Sequence, residues 1–207
     1  MIVVVKLIEK FQHFSQSKWC SAEELKLISK AGYLLSSATF TRNNEIDVFR
    51  RDCFPAHFTA SAFIVDFQKN TTLLTHHKKL KIWIQLGGHA DGDSDLLQGA
   101  LREAYEESGL TKIEAVTSEI FDFDIHLIPE NKKNHEPAHY HYDVRFLFHC
   151  ADRPQFQISE ESLDLSWVAI EKLETFNNNL TVQRMGKKFL QDRNFLSQQA
   201  LQFSPTC

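Results

Sequence analysis

Several features are scarce in this 207-residue chain, and each shortage closes off a class of protein. There is no long run of lysine or arginine, and the net charge is −4, so a nucleic-acid-binding surface is not expected. The four cysteines, Cys20, Cys53, Cys150 and Cys207, are scattered, and no two form a CxxC pair. They read as reduced thiols of a cytoplasmic protein, not as a disulfide framework or a cysteine zinc site. The opening stretch, MIVVVKLIEKFQ, meets Lys6 and Glu9. Its apolar run is too short for a signal peptide or a membrane span, and no later run reaches that length. Internal repeats and low-complexity segments are also missing. What remains is globular in composition, 43% apolar and 24% charged, and long enough to bury a core in one domain with an extension, or in two small ones. Phenylalanine is the one surplus, with seventeen; most are expected in the core and a few along a pocket.

Periodicity divides the chain. Residues 1 to about 38 read as helical: Ser21 and Glu24 have capping-box spacing, and Leu25, Ile28, Leu34 and Leu35 follow at roughly helical intervals. A polar stretch from Thr41 to Arg51 then leads to Pro55, so residues 1–50 are expected to be an N-terminal helical extension and 51–207 the main domain. Residues 58–67 and 71–77, rich in β-branched and aromatic residues and separated by Gln68, Lys69 and Asn70, predict a hairpin. A short strand is expected at 81–86, a helix at 94–108, extended chain at 113–129, a polar loop at 131–137, and strands at 138–150 and 165–170. The end, 171–202, reads as helix broken at Asn177, Asn178 and Asn179. This order suits an α/β or an α+β sandwich and does not choose between them.

The segment GGHADGDSDLLQGALREAYEESGL, residues 87–110, carries the chemistry. On a helix, Leu97, Ala100, Leu101 and Ala104 form an apolar stripe, and Glu103, Glu106 and Glu107 form a second face. Gly99 falls on that second face, where a missing side chain leaves room for a ligand, and Gly109 sits where a C-cap glycine belongs. A solvated acidic face is the ordinary account of such a charge run. It explains little here: the glutamates repel at i, i+3 and i+4, no lysine stands at i±4, and the C-terminal half of a helix disfavours negative charge. A divalent cation removes both penalties, and oxygen-only ligands suit Mg2+ or Mn2+ over zinc. Gly87 and Gly88 let backbone approach a ligand, with carbonyls free to complete a metal shell. His89, Asp91 and Asp93 are candidate outer groups around such an ion, while Asp93, Ser94 and Asp95 all suit a helix N-cap.

These residues resemble the Nudix hydrolase family. Its box, G-x5-E-x7-R-E-U-x-E-E-x-G-U with U a bulky apolar residue, is matched in spacing from Gly88 to Leu110. Two positions depart from it: Ala104 is small for U, and Ser94 replaces the first glutamate. The resemblance implies an α/β fold, a Nudix-type α/β/α sandwich with a central mixed β-sheet, extending over about residues 55–170 and leaving the first 50 outside it. It implies that Glu103, Glu106 and Glu107, with the Gly87 carbonyl, hold Mg2+ or Mn2+. It further implies catalytic roles for Glu103, as base or metal-bridging carboxylate, for Glu107, and for Arg102, which orients a glutamate by a salt bridge. The reaction implied is attack of water on the pyrophosphate of a nucleoside diphosphate linked to another moiety. Many family members are dimers, so a homodimer is the candidate assembly. Serine at 94 and the extra N-terminal helices motivate an alternative, a catalytically weak nucleotide sensor of the same fold.

Further candidates lie downstream. On a strand, His139, His141 and Asp143 share one face and Tyr140, Tyr142 and Val144 the other. With His89, the first three are expected to bind substrate; a His-His-Asp zinc site on that face is a lesser geometric option. Glu160 and Glu161, ahead of the last strand, are candidates for an extra base, since many Nudix enzymes draw a glutamate from such a loop. Trp83 is expected to pack in the core, and His76 to Lys79 to form an exposed loop.

Overall fold

The computed structural model describes residues 2–40, 47–150, 156–160 and 162–203. Among these residues five α-helices lie in the order α1 (Ile2–Gln16), α2 (Ala22–Phe40), α3 (Leu96–Ser108), α4 (Leu173–Phe176) and α5 (Leu180–Phe203). Eight strands accompany them: β1 (Ala56–Asp66), β2 (Thr71–His77), β3 (Trp83–Ile84), β4 (Leu86–His89), β5 (Glu114–Ala115), β6 (Asp122–Ile128), β7 (His139–His149) and β8 (Ser162–Ala169). They form one mixed sheet with path β3-β2-β1-β7-β5, where β4 pairs with β1, β6 with β7 and β8 with β2. This is the α/β class expected, with helices flanking the sheet. No helix among the described residues is long and apolar enough to cross a membrane.

The described residues group into two compact units. One draws on 1–60, 88–99 and 119–145, the other on 61–87, 100–118 and 146–207. In the first unit the N-terminal helices are built into the packing. α1 buries Leu7, Phe11 and Phe14 at i, i+4 and i+7, one face of a helix. Phe11 meets Phe123 edge-on, with ring centroids 4.9 Å apart, and Trp19 meets Phe121 at 5.6 Å. The capping box at the start of α2 forms: the Glu24 amide donates to Ser21 Oγ and the Ser21 amide to Glu24 Oε2. Glu24 is fully buried, and its other oxygen accepts the Phe123 amide at 3.1 Å. Burial of Glu24, Ala31 and Leu35 sets the inner face of α2, so Leu25, expected on the apolar stripe, stands 52% exposed instead. A carboxylate that satisfies two backbone amides, one of them buried, takes the inner face in place of the leucine.

Strands β6 and β7 run antiparallel in the same unit, from Asp122↔Arg145 to Ile128↔His139. In the second unit, β1 and β2 make the expected hairpin, with Ile64 opposite Leu73. Asn70 closes it at φ 50°, a conformation asparagine tolerates. β8 lies antiparallel on β2 over nearly its whole length. Trp83 is half-buried between His76, stacked at 5.0 Å, and Phe176 at 5.3 Å, so His76 is tied to the end of the sheet. The break between α4 and α5 is built by asparagines: the Asn179 side chain accepts the amides of Thr181 and Val182, which caps α5. Cys20, Cys53 and Cys150 form no disulfide among the described residues, and Cys207 lies outside them.

Candidate active site

The acidic segment folds as a capped helix. Asp95 is its N-cap, its carboxylate accepting the Gln98 amide, while Asp93 accepts the Asp95 amide. At the other end Gly109 has φ 65°, and its amide bonds the Tyr105 carbonyl. A Cβ at this glycine would stand 2.9 Å from that of Gln157, so both conformation and space call for glycine. The helix is rotated from the expected phase. Leu96, Ala100 and Ala104 are buried, whereas Leu97 and Leu101 are only half-buried. Gly99 opens no space for a ligand: it is buried, and a Cβ there would sit 3.6 Å from that of Ala60. Ala104, where the box has a bulky residue, is fully buried.

This rotation gives the three glutamates of α3 different surroundings. Glu107 comes onto the inner face and is 8% exposed, and its Oε2 accepts the Gly87 amide at 3.3 Å. Glu103 is mostly covered, with 15% of its side chain exposed, and pairs with Arg102 at 2.8 Å. Glu106 is open, at 60%, and pairs with the same Arg102 nitrogen at 3.2 Å. No lysine stands at i±4, but an arginine does: Arg102 lies four residues before Glu106. One guanidinium thus restrains two of three carboxylates, and Glu107 is placed next to the glycine expected to offer its carbonyl. Glu160 is exposed; its backbone carbonyl accepts Lys78 Nζ at 3.3 Å. Glu161 lies outside the described residues.

The first unit holds a second concentration of chemistry, made of imidazoles. His57 opens β1, His89 ends β4, and His139 and His141 lie at the start of β7. Ring centroids of His57 and His141 are 4.8 Å apart, those of His89 and His141 5.1 Å, and those of His57 and His139 4.9 Å. One ligand nitrogen from each of His57, His89 and His141 lies within 4.8 Å of the others. Close packing and burial favour the neutral form of three of the rings, those of His57, His89 and His141. Burial first, then the neighbouring His89, pushes His141 down to about 2. Burial, then the Arg51 charge, takes His89 down to about 4, and burial chiefly lowers His57. His57 Nε2 is buried with no hydrogen-bond partner.

Asp143 does not join those rings. It is buried, accepting Thr59 Oγ1 at 3.1 Å and Arg145 Nε at 2.7 Å. Arg145 also donates to Asp122 at 3.0 Å and to Asp124 at 3.4 Å. Burial alone would lower the guanidinium's pKa; Asp143, Asp122 and Asp124 hold it above the usual arginine value. A zinc site made of His139, His141 and Asp143 therefore does not form, because its carboxylate serves as an anchor for Arg145. His57 was not singled out from the sequence, and a lone histidine in an apolar strand gives no signal by itself. Asp91, expected near the glycine loop, is tied by both oxygens to Arg51 at 2.6 Å.

A family model described as NUDIX domain matches residues 55–191, more than half of the chain. No curated protein matches the sequence. Among solved structures, an Ap4A hydrolase from C. elegans in a binary complex aligns with a TM-score of 0.53 and 20% identity, covering 68% of this chain and 98% of that one. The dihydroneopterin triphosphate pyrophosphohydrolase of E. coli aligns at 0.49 and 12%, covering 63% and 92%. The NUDIX domain of Shewanella oneidensis NrtR, complexed with ADP ribose, aligns at 0.48 and 16%, covering 66% and 87%. The first of these likenesses is one of fold. Membership rests on the match over 55–191: the chain belongs to the Nudix hydrolase family, enzymes that act on pyrophosphate bonds.

Proposed function

We propose that this chain is a divalent-metal-dependent pyrophosphohydrolase, which uses water to cleave a nucleoside diphosphate joined to a second moiety. The observation that carries the reading is the graded burial along one turn of α3: Glu107 at 8%, the Glu103 side chain at 15%, the Glu106 side chain at 60%. A solvated acidic face would expose all three. Glu103, Glu106, Glu107 and the Gly87 backbone offer only oxygen donors, a chemistry that fits a hard cation such as Mg2+ or Mn2+. Glu103, Glu106, Glu107 and the Gly87 carbonyl would hold it. When bound, the ion supplies neutralisation of charge on the phosphoryl oxygens and a more acidic water.

The remaining roles belong to side chains. Arg102 restrains Glu103 at 2.8 Å, which limits the rotamers that this carboxylate must lose on meeting substrate. Glu103 is the candidate to accept the proton of the attacking water. The Gly87 amide fixes one oxygen of Glu107. Ser94 does not weaken the helix, because Asp95 provides the cap.

The test is turnover by Glu103→Gln and Glu107→Gln across dinucleoside polyphosphates, nucleotide sugars, nucleoside triphosphates and dinucleotide cofactors, with Mg2+ or Mn2+. Dinucleoside polyphosphates come first, on the strength of the fold shared with the Ap4A hydrolase. Both substitutions should lower kcat by about a hundredfold or more at unchanged melting temperature. Wild-type turnover in both would refute the assignment. Serine at 94 supports a second reading, a nucleotide sensor: nucleotide binding by calorimetry with no product after long incubation would select it.

A further inference from the structure

We propose that His57, His89 and His141 form a nitrogen-donor site for a zinc-class transition-metal ion, separate in chemistry from the glutamates of α3. Three observations carry it. First, one nitrogen from each ring lies within 4.8 Å of the other two, and His57–His89–His141 is the metal-grade grouping of this kind among the described residues. Nitrogens on a tetrahedral zinc stand about 3.3 Å apart, so closure asks for about 1.5 Å of side-chain adjustment at most. Second, the rings are mounted on β1, β4 and β7 and not on loops, which pre-positions them.

Third, the hydrogen bonds fix tautomers suited to ligation. His57 Nδ1 lies 3.1 Å from the Cys53 carbonyl, which can only accept. The proton is therefore on Nδ1, and the lone pair is on Nε2, the buried atom that has no partner. Burying a bare acceptor is destabilising, and an ion at that position removes the deficit. His139 works in the same way at one remove. Its Nδ1 donates to the Pro137 carbonyl at 2.8 Å, which leaves Nε2 to accept from His141 Nε2 at 3.2 Å. His141 then carries its proton on Nε2 and presents Nδ1 as the ligand. His139 is thus a positioning residue, acting through His141, as groups behind metal-bound imidazoles commonly do. An all-imidazole set favours zinc, copper, nickel or cobalt over magnesium, and three protein ligands leave the fourth position of a tetrahedral ion to a small molecule.

The experiment uses the full chain without an affinity tag, in excess Mg2+ to keep the carboxylates occupied, titrated with Zn2+ against a chromophoric chelator and with Co2+ by absorption. One equivalent should bind, and Co2+ should give the intense visible bands of a tetrahedral site. His57→Gln and His141→Gln should lower affinity more than a hundredfold; His139→Gln should lower it by about 10–100-fold. Glu107→Gln and the exposed-site variant His135→Gln should bind as wild type, which separates this site from the one proposed for hydrolysis. X-ray absorption on the wild-type zinc protein guards against misfolded variants: nitrogen scatterers at about 2.0 Å are expected. No stoichiometric binding, a first shell dominated by oxygen, or unchanged affinity in folded His57→Gln and His141→Gln would each overturn the proposal.

Discussion

Replacing Arg145 by methionine should be among the most damaging single changes in the chain. Arg145 is 3% exposed and donates to Asp143, Asp122 and Asp124, which are 3%, 0% and 18% exposed. The β6–β7 register explains the meeting: Asp122 faces Arg145, and Asp124 faces Asp143. Methionine fills similar space but leaves three carboxylates without their shared cation. Breaking a buried pair in this way costs about 3–5 kcal/mol, because the stranded charge keeps its desolvation penalty. For a chain of this size that corresponds to a fall of about 6–20 °C in melting temperature. The assay is thermal and urea unfolding followed by circular dichroism. Arg145→Lys should fall in between, since one ammonium cannot bridge three carboxylates in fork geometry. Adding Asp122→Asn and Asp143→Asn to Arg145→Met should recover a large part of the loss. A methionine variant within about 1 kcal/mol of wild type would refute this account, as would asparagines that deepen the deficit.

Glu24→Ala removes the capping-box acceptor and the partner of the Phe123 amide; about 2–3 kcal/mol should be lost, with faster hydrogen exchange at Phe123. Gly109→Ala forces an alanine to φ 65° against Gln157 and should cost at least about 1–2 kcal/mol in a urea titration, whereas Gly32→Ala, in open space, should be neutral or stabilising. In chelator-treated protein, stability should fall as pH drops from 7 to 5. His57, His89 and His141 titrate lower in the fold than in the unfolded chain, so their stabilising contribution is present above about 6.5 and lost below it. Each ring contributes at most about 1.4 kcal/mol per pH unit, less where solvent screens it, and stability flat across this range would contradict the packing described.

The elements whose signal is local were legible. The β1–β2 hairpin followed from two β-branched runs around a three-residue turn. The Ser21–Glu24 capping box and the glycine closing α3 could be read from the residues alone. Rotational phase was not: Leu96 and Leu97 are adjacent, and only tertiary packing decides that Leu96 is buried and Leu97 is not. The same rotation puts Glu107 on the inner face and turns Gly99 toward Ala60. Of the residues singled out for the site, Arg102 pairs with Glu103 and Glu106, and Glu107 accepts the Gly87 amide. Three of the four imidazoles were visible: His139 and His141 by alternation, and His89 beside the glycine loop. His57 reaches them through strand pairing, which no local pattern encodes. The Arg145 hub was hidden for the same reason, since Asp122 and Asp124 lay in a segment read only as extended.

The family match begins at residue 55, yet Phe11 packs on Phe58 and Phe123, and Trp19 on Phe121. Anyone trimming the gene to the matched boundary would strip those rings of their cover. Such a fragment would leave a greasy scar where the first helix had been, and would sooner stick to its own kind than stay dispersed. The leading helices are therefore built onto the first unit's own aromatic rings, and they should be cloned with it.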